Sequence, residues 1–302
     1  MTDREELRPL LFSIAYRMLG SVAEAEDVVQ EAFLRAQRAE ADGVEIESPR
    51  AYLSTVVTRL AIDELRTARA RREQYVGPWL PEPLVADPAP GPAQEAELAD
   101  SLSLAFLVVL ETLSPLERAV FVLREVFDYG YAEIAEVVGR SEESCRQLAL
   151  RARRHVDDRR PRYDVSPGER EEVAARFFAA FESGDAEALV AVLAPDVVFT
   201  GDGGGKTVSV PKPVVGRARV SRMLAGFART GVRAHGTLEP AVVNGGPGAI
   251  ARDAEGRVAI VLALDVAGGV VQEIRSIVNP EKLRHLGETA DLRTLLRDAH
   301  RN

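Results

Sequence analysis

Tyr131-Ala-Glu-Ile-Ala-Glu-Val-Val-Gly-Arg-Ser141-Glu-Glu-Ser-Cys-Arg-Gln-Leu-Ala-Leu-Arg-Ala-Arg-Arg-His-Val156 spells two amphipathic helices across a short turn. Tyr131, Ile134, Ala135 and Val138 recur at helical spacing, Gly139 ends that segment, and Ser141 caps the next. The second helix, Glu142 to about Val156, places Cys145, Leu148, Ala149, Ala152 and Val156 on one face. Glu143, Arg146, Gln147, Leu150, Arg153 and Arg154 fall on the other. Two short helices across a glycine-containing turn form a helix-turn-helix pattern. Between Arg140 and Arg162 eight Arg stand against four acids, a local charge of +4 in a chain of 302 residues whose net charge is −9. A solvated charged helix has the same composition. Arg and Gln near the start of such a helix are also the side chains that read G and A edges in a major groove, and the Arg that follow suit phosphates.

Upstream of the motif, Ser114-Pro-Leu-Glu117 reads as a capping box opening a helix with Leu116, Ala119, Val120 and Leu123 inward. A helix from near Gln94 carries Leu98, Leu102, Ala105, Phe106 and Val109. The N-terminal stretch reads as three helices. Leu7, Leu10, Leu11, Ile14, Ala15 and Met18 precede a stop at Gly20. Ser21-Val-Ala-Glu24 then caps a stripe of Ala25, Val28, Val29, Ala32, Phe33 and Ala36. After Asp42-Gly43, Ser48-Pro49 opens the third, which buries Leu53, Val56, Val57, Leu60 and Ala61 and shows water Arg59, Asp63 and Arg66, followed by Arg69, Arg71 and Arg72. Six of the 17 Pro fall between Pro78 and Pro92, and 17 of the 23 Gly lie from Gly168 onward. The spacing therefore predicts two helical blocks on a proline-rich leash, then a turn-rich α+β region.

Composition excludes several classes. Hydrophobic residues at 46% and charged residues at 28% are globular values. No apolar stretch approaches the ~20 residues of a membrane span, and Met1 is followed by Thr-Asp-Arg-Glu-Glu, so the reading is cytoplasmic, with no membrane partner. The lone Cys145 forms no internal disulfide, and His155, His235, His285 and His300 have no metal-ligand spacing, so no metal or cofactor is expected. The net charge alone argues against nucleic acid, but only three of the 38 cations are Lys (Lys206, Lys212 and Lys282). Arg suits bidentate contacts to phosphate and guanine, while a GC-rich genome produces the same bias.

Ala25-Glu-Asp-Val-Val-Gln-Glu-Ala-Phe33 resembles region 2.2 of bacterial sigma factors, Leu53 to Arg72 resembles regions 2.3 and 2.4, and Leu113 to Arg154 resembles region 4. In that order and at those distances they resemble an extracytoplasmic-function sigma factor. Trp79-Leu-Pro-Glu-Pro-Leu84 in the linker, Asp202-Gly203-Gly204-Gly205-Lys206, and Asn279-Pro280-Glu281-Lys282-Leu283 resemble the motifs of the sigma J-like group, which carries a fused SnoaL-like domain of NTF2-like fold. Glu281 departs from the Asp usual there. The resemblance implies two all-α sigma domains followed by an α+β conical barrel: region 2 over 1–74, a linker over 75–94, region 4 over 95–160 and the SnoaL-like domain over 161–302. It implies core RNA polymerase as partner through Asp27, Gln30, Glu31 and Arg35. Promoter DNA would be met at the −10 element by Arg59, Arg66 and Arg69, and at the −35 element by Ser144, Arg146, Gln147, Arg151, Arg153 and Arg154. A transcription regulator of LuxR type also has region 4-like helices, but leaves the first block without a purpose.

In the C-terminal region, Val173, Phe177 and Phe181 mark a helix, Leu189, Val192 and Leu193 a short second one, and Pro195 to Thr200 a strand ending in the glycine-rich turn. A helix over Val220 to Phe227 precedes three or four strands, of which Val258 to Asp265 and Val270 to Val278 flank Gly268-Gly269 as a hairpin. Helices on a curved sheet enclose a cone, where an unidentified small ligand is an expected partner. An enzyme, a ligand sensor and a structural regulator remain open readings. Asp196, Asp202, Asp265, Glu273 and His235 are available acids or bases without a diagnostic spacing, so no enzymatic role is expected. Cys145 invites a redox reading, but its apolar face points to inert packing. Trp79, between prolines, is expected either exposed or docked on another domain. Glu82, framed by Pro81 and Pro83, is expected near Lys206 or Lys282, so that the three motifs meet.

Overall fold

Gly20, in the left-handed region at φ +67°, stops the first helix of the chain, and the Ser21 hydroxyl accepts the Glu24 N–H at 3.2 Å to start the second. The computed structural model describes residues 4–86, 103–158, 166–233 and 236–299, in two compact units. Helices α1 (Arg8–Leu19), α2 (Val22–Ala41) and α3 (Pro49–Glu73) pack through Leu11, Ile14, Met18, Val29, Ala32, Leu53, Val57 and Ala61, all fully buried. The same unit holds α4 (Leu104–Leu110) and α5 (Pro115–Phe121), which runs on through a π-helical turn over Val122–Val126. It closes with α6 (Tyr131–Val138) and α7 (Glu142–Asp157). The capping box of Ser114 and Glu117 is complete, Gly139 turns at φ +64°, and Ser141 caps α7 through the Ser144 N–H. Cys145 lies in the core of the motif with Val120, Leu123, Ile134, Val137, Leu148 and Ala149, and burial pushes its thiol up, as inert packing requires. The helix expected from near Gln94 falls, up to residue 102, outside the described residues.

The helical blocks are joined by guanidinium groups. Arg118, 2% exposed, donates to the carbonyls of Leu110 at 2.9 Å and Met18 at 2.6 Å and pairs with Glu111 at 2.7 Å. Arg72 donates to the same Glu111 and to the Leu19 carbonyl. Cations thus satisfy the last carbonyls of α1, where the helix dipole favours positive charge. The described residues of 4–74 and 105–158 consequently group as one compact unit.

The second unit is α+β. α8 (Pro167–Ser183), α9 (Ala186–Val192) and α10 (Arg217–Arg233) cover one face of a seven-stranded sheet ordered β1-β4-β5-β6-β7-β2-β3. Its strands are β1 (Val85–Ala86), β2 (Leu193–Asp202), β3 (Val214–Val215), β4 (Thr237–Val243), β5 (Gly246–Arg252), β6 (Val258–Ala267) and β7 (Val270–Ile277). β2 runs parallel to β7, and the other pairings between these strands are antiparallel. Phe177, Phe178, Leu189 and Leu224 meet Phe199, Leu262, Leu264 and Ile274 across that interface. The short α11 (Pro280–Leu283) and the C-terminal α12 (Leu292–Ala299) follow the sheet. The edge strand β1 comes from the linker. No sequence pattern announced it, because a two-residue strand has no periodicity to read.

Arg118→Ala removes the donor shared by Glu111, Met18 and Leu110. It is expected to destabilise the helical unit by about 3–5 kcal/mol, as loss of one partner of a buried pair does. Urea unfolding followed by far-UV circular dichroism reads this as a lowered midpoint.

Candidate functional site

The linker is seated on the C-terminal unit by one carboxylate. Asp202, fully buried at the end of β2, accepts the Tyr75 hydroxyl at 2.5 Å with one oxygen. Its other oxygen takes the Leu80 N–H at 2.8 Å and the Lys282 ammonium at 2.7 Å. Lys282, 6% exposed, also donates to the Leu80 carbonyl, so both backbone groups of Leu80 are satisfied. Its ammonium lies 4.2 Å from the centroid of Trp79 and 4.9 Å from that of Tyr75, a cation between two aromatic faces. Burial and the neighbouring Asp202 raise the Tyr75 hydroxyl above the ordinary tyrosine range, so it remains a donor.

The three motifs do meet. Gly204 has φ +56°, and a Cβ there would stand 2.4 Å from Asn279 Nδ2 and 2.6 Å from the Tyr75 hydroxyl, contacts no side chain tolerates. The turn from Gly203 through Gly205 is closed by the Lys206 N–H on the Gly203 carbonyl at 2.9 Å. Asn279 donates to the Tyr75 hydroxyl at 2.8 Å while its Oδ1 caps α11 through the Glu281 N–H. Pro280 opens that helix, and Leu283 is buried at 1% exposure. The ammonium groups are engaged by motif carboxylates: Lys282 by Asp202, and Lys206 by Glu281 at 3.1 Å on the surface. Leu80 is buried, and Pro81 and Pro83 flank the half-buried Glu82.

Downstream, the linker becomes part of the sheet. Leu84 donates to Asn244 Oδ1 at 2.9 Å and accepts the Asn244 N–H at 2.7 Å, and Val85 and Ala86 then pair with Val243 and Val242. His285 Nε2 lies 2.8 Å from the Pro83 carbonyl. Tyr75, Asn244, His285 and β1 all escaped sequence reasoning. Tyr75 alone had a signal, as an aromatic residue four before Trp79 in the same proline-flanked run.

On the helical unit, Asp27 and Gln30 are exposed on α2, and Glu31 binds Arg35 at 2.8 Å, which lowers the Glu31 carboxyl. Arg66 is exposed and pairs with Asp63 at 2.9 Å, while the Arg69 side chain lies outside those described. Arg59 donates to the Val137 carbonyl at 2.9 Å and the Glu136 carbonyl at 2.8 Å, at the C-terminal end of α6. Tyr129 donates to Ser54 at 2.9 Å beside it. Within this unit the face of α3 that carries Arg59 therefore packs on the helix-turn-helix. On α7, Arg146 binds Glu142 at 2.6 Å and stacks over Tyr131, and Gln147 binds Glu143 at 3.1 Å. Arg153 binds Glu125 at 2.5 Å, Arg151 lies 3.9 Å from Glu117, Arg154 is exposed, and the Ser144 N–H serves the cap.

The cone of the second unit encloses about 380 Å³. None of the described candidate acids lines it. Asp202 is in the linker dock and Asp196 is exposed. Asp265 and Glu273 flank Arg275 at 2.5 Å each, on the sheet face opposite Leu264 and Ile274. His235 lies outside the described residues.

Asp202→Ala leaves Lys282 buried without its carboxylate and is expected to free the linker. Trp79, the single Trp, reads this directly: its emission shifts to the red and its quenching by acrylamide rises. Lys206→Ala breaks only an exposed pair worth about 0–1 kcal/mol and leaves both unchanged.

Comparison with known proteins agrees with this architecture. Residues 4–71 match Sigma-70 region 2, residues 103–156 match Sigma-70 region 4, and residues 174–277 match the SnoaL-like domain. The chain is 40% identical over 291 residues to the ECF RNA polymerase sigma factor SigJ of Mycobacterium tuberculosis, covering 93% of this chain and 92% of that one. It is 35% identical over 278 residues to the probable ECF RNA polymerase sigma factor SigI of the same species, covering 91% and 92%. The crystal structure of the SigJ protein superimposes with a TM-score of 0.73 at 39% identity, covering 93% of this chain and 96% of that one. With regions 2 and 4 joined to a SnoaL-like domain in this order and over this length, the chain belongs to the extracytoplasmic-function RNA polymerase sigma factors, which direct transcription initiation from promoters.

Proposed function

We infer that this sigma factor binds core RNA polymerase through Asp27, Gln30, Glu31 and Arg35, and reads two promoter elements with its two helical blocks. Arg59, Arg66 and Arg69 meet the −10 element; Ser144, Arg146, Gln147, Arg151, Arg153 and Arg154 meet the −35 element. The exposed ion pairs on α7 are weak enough to be exchanged for phosphate or guanine. Arg59 is occupied by the α6 carbonyls, so its use on DNA requires α3 and α6 to part. The C-terminal domain acts in cis, in place of a separate inhibitor, by holding or releasing the linker between the blocks. The observation that carries this reading is the double anchorage of residues 75–86, by the Asp202–Lys282 pair and by strand β1.

The domain works without catalysis, and its mostly apolar cone holds a small ligand. Among the described residues no helix is long and apolar enough to cross a membrane, and the site of action is the cytoplasm, where polymerase and promoter are.

Run-off transcription with core polymerase tests the assignment. The full chain is expected to initiate at its promoter, and Asp202→Ala, like a chain ending at residue 165, is expected to change the level. Equal transcripts from all three remove the cis regulation; no transcript from any removes the promoter reading. In the same assay Arg146→Ala is expected to relax −35 selectivity by about 1–3 kcal/mol at one base pair, while Arg153→Ala weakens all promoters alike.

A further inference from the structure

The lining of the cone is mostly apolar, and helix α12 contributes to it. Phe181, Phe199, Leu224, Leu238, Ile260 and Leu262 supply most of an apolar lining around about 380 Å³. An apolar cavity of about 150 Å³ holds a single benzene ring, so this one accommodates roughly two or three rings. The charged side chains on its wall are spent or outside. Arg252 binds Glu239 at 3.2 Å and the Gly256 carbonyl at 3.1 Å. Asp253 accepts the N–H groups of Glu255 and Arg257 and the Arg257 guanidinium at 2.7 Å, and Glu182 is exposed. Among the described residues a charged ligand would find no unengaged charge facing it, and its desolvation would be costly.

Two hydroxyls stand apart from this apolar wall. Ser276 lies in register with Leu262 on one side and Gly201 on the other, and so faces the cone. A Cβ at Gly201 would stand 2.7 Å from Ser209 Oγ, so the glycine lets Ser209 approach the same end of the cavity. Among the described residues neither hydroxyl has a hydrogen-bond partner, although both line the pocket. Ser276 is buried and Ser209 half-buried, and an oxygen on a ligand seated between them meets two hydroxyls, each able to donate or accept.

Helix α12 lays Leu292, Leu295 and Leu296, an i, i+3, i+4 stripe, on the lining. The segment before it is tied to the sheet by the Val258 N–H on Glu288 at 2.8 Å and the Ala290 N–H on Val258 at 2.9 Å, and Asp291 caps the helix. Eight residues are too few for a helix to persist alone, so α12 depends on its leucine contacts.

We propose that the cone binds an uncharged, largely apolar molecule of two or three rings bearing one hydrogen-bonding oxygen, held by Ser209 and Ser276 and covered by α12 as a lid. This rests on the reading of the cone as a ligand site. The test is fluorescence titration of the full chain with 2-naphthol, naphthalene and 2-naphthoate. Saturable one-to-one binding of 2-naphthol is expected, with naphthalene about fivefold weaker and naphthoate at least tenfold weaker. The Ser209→Ala, Ser276→Ala double variant erases the preference for naphthol over naphthalene. Ala251→Phe fills the cavity and abolishes binding at an unchanged unfolding midpoint, and Leu295→Asp speeds dissociation at least tenfold. Failure of all three probes to bind overturns the ligand site itself. Equal or tighter binding of naphthoate overturns the chemical class and leaves a ligand site standing. Binding that survives Ala251→Phe places the probe elsewhere, and a Leu295→Asp variant with unaltered dissociation shows that α12 is no lid.

Discussion

A carboxylate buried with no access to water must be fully paired, and the organisation of the C-terminal unit follows from how Asp202 meets that requirement. Its donors come from distant parts of the chain: Tyr75 and Leu80 in the linker, and Lys282 just beyond the last strand. Satisfying one side chain therefore fixes the linker and the start of α11 on the end of β2. Lys282 in turn needs the aromatic faces of Tyr75 and Trp79 and the carbonyl of Leu80, so the cluster forms as a whole or not at all.

What could be read in advance divides along sequence distance. The helix-turn-helix was legible because its signals are local: a 3.6-residue stripe, glycine at 139 and a capping serine at 141. The three motifs of the linker dock were legible through resemblance, and Trp79 was expected either to dock or to stand exposed. The polar chemistry of the dock was not. Glu82 was the conspicuous charge of the linker, yet it is the buried Leu80 whose backbone N–H and carbonyl are held by Asp202 and Lys282, because a buried peptide group must find partners. Asn244 and the end of β4 before it pair with linker residues some 160 positions earlier, and single-residue spacing carries no trace of such a partner. Arg59 likewise has its partners far along the sequence. Exposed on an isolated α3, it is taken by the carbonyl end of α6, 77 and 78 residues later.

The helical unit uses its buried and its surface cations differently. Its buried cations, Arg17 and Arg118, work on backbone carbonyls and on Glu111; burial lowers Arg17 to about 10, still well above neutrality. The cations on α7 are instead paired at the surface, where an ion pair costs little to break. Charges that hold the fold are thus separated from charges left exchangeable at the surface of a protein whose net charge is −9.

The alternation of a strand brings the linker dock and the cone within one residue of each other. On β2, Gly201 faces Ser209 and Ser276 at the end of the cavity, and Asp202 turns to the opposite face to hold Leu80 and Lys282. The next pairing repeats the pattern: Val278 lines the cone while its N–H binds the Asp202 carbonyl at 2.9 Å, and Asn279, beside it, binds the same carbonyl at 3.0 Å and reaches Tyr75 with its side chain. A molecule seated between Ser209 and Ser276 would press on backbone that carries the linker's anchor on its other face. Such a ligand shifts the dock only as far as its affinities for the docked and released states differ. With a buried ion pair, two cation–π contacts and a strand pairing all favouring the docked state, a complete release would need a preference near 10⁴-fold. One hydrogen-bonding oxygen and a few ring contacts fit a graded adjustment of linker docking better than an all-or-none switch.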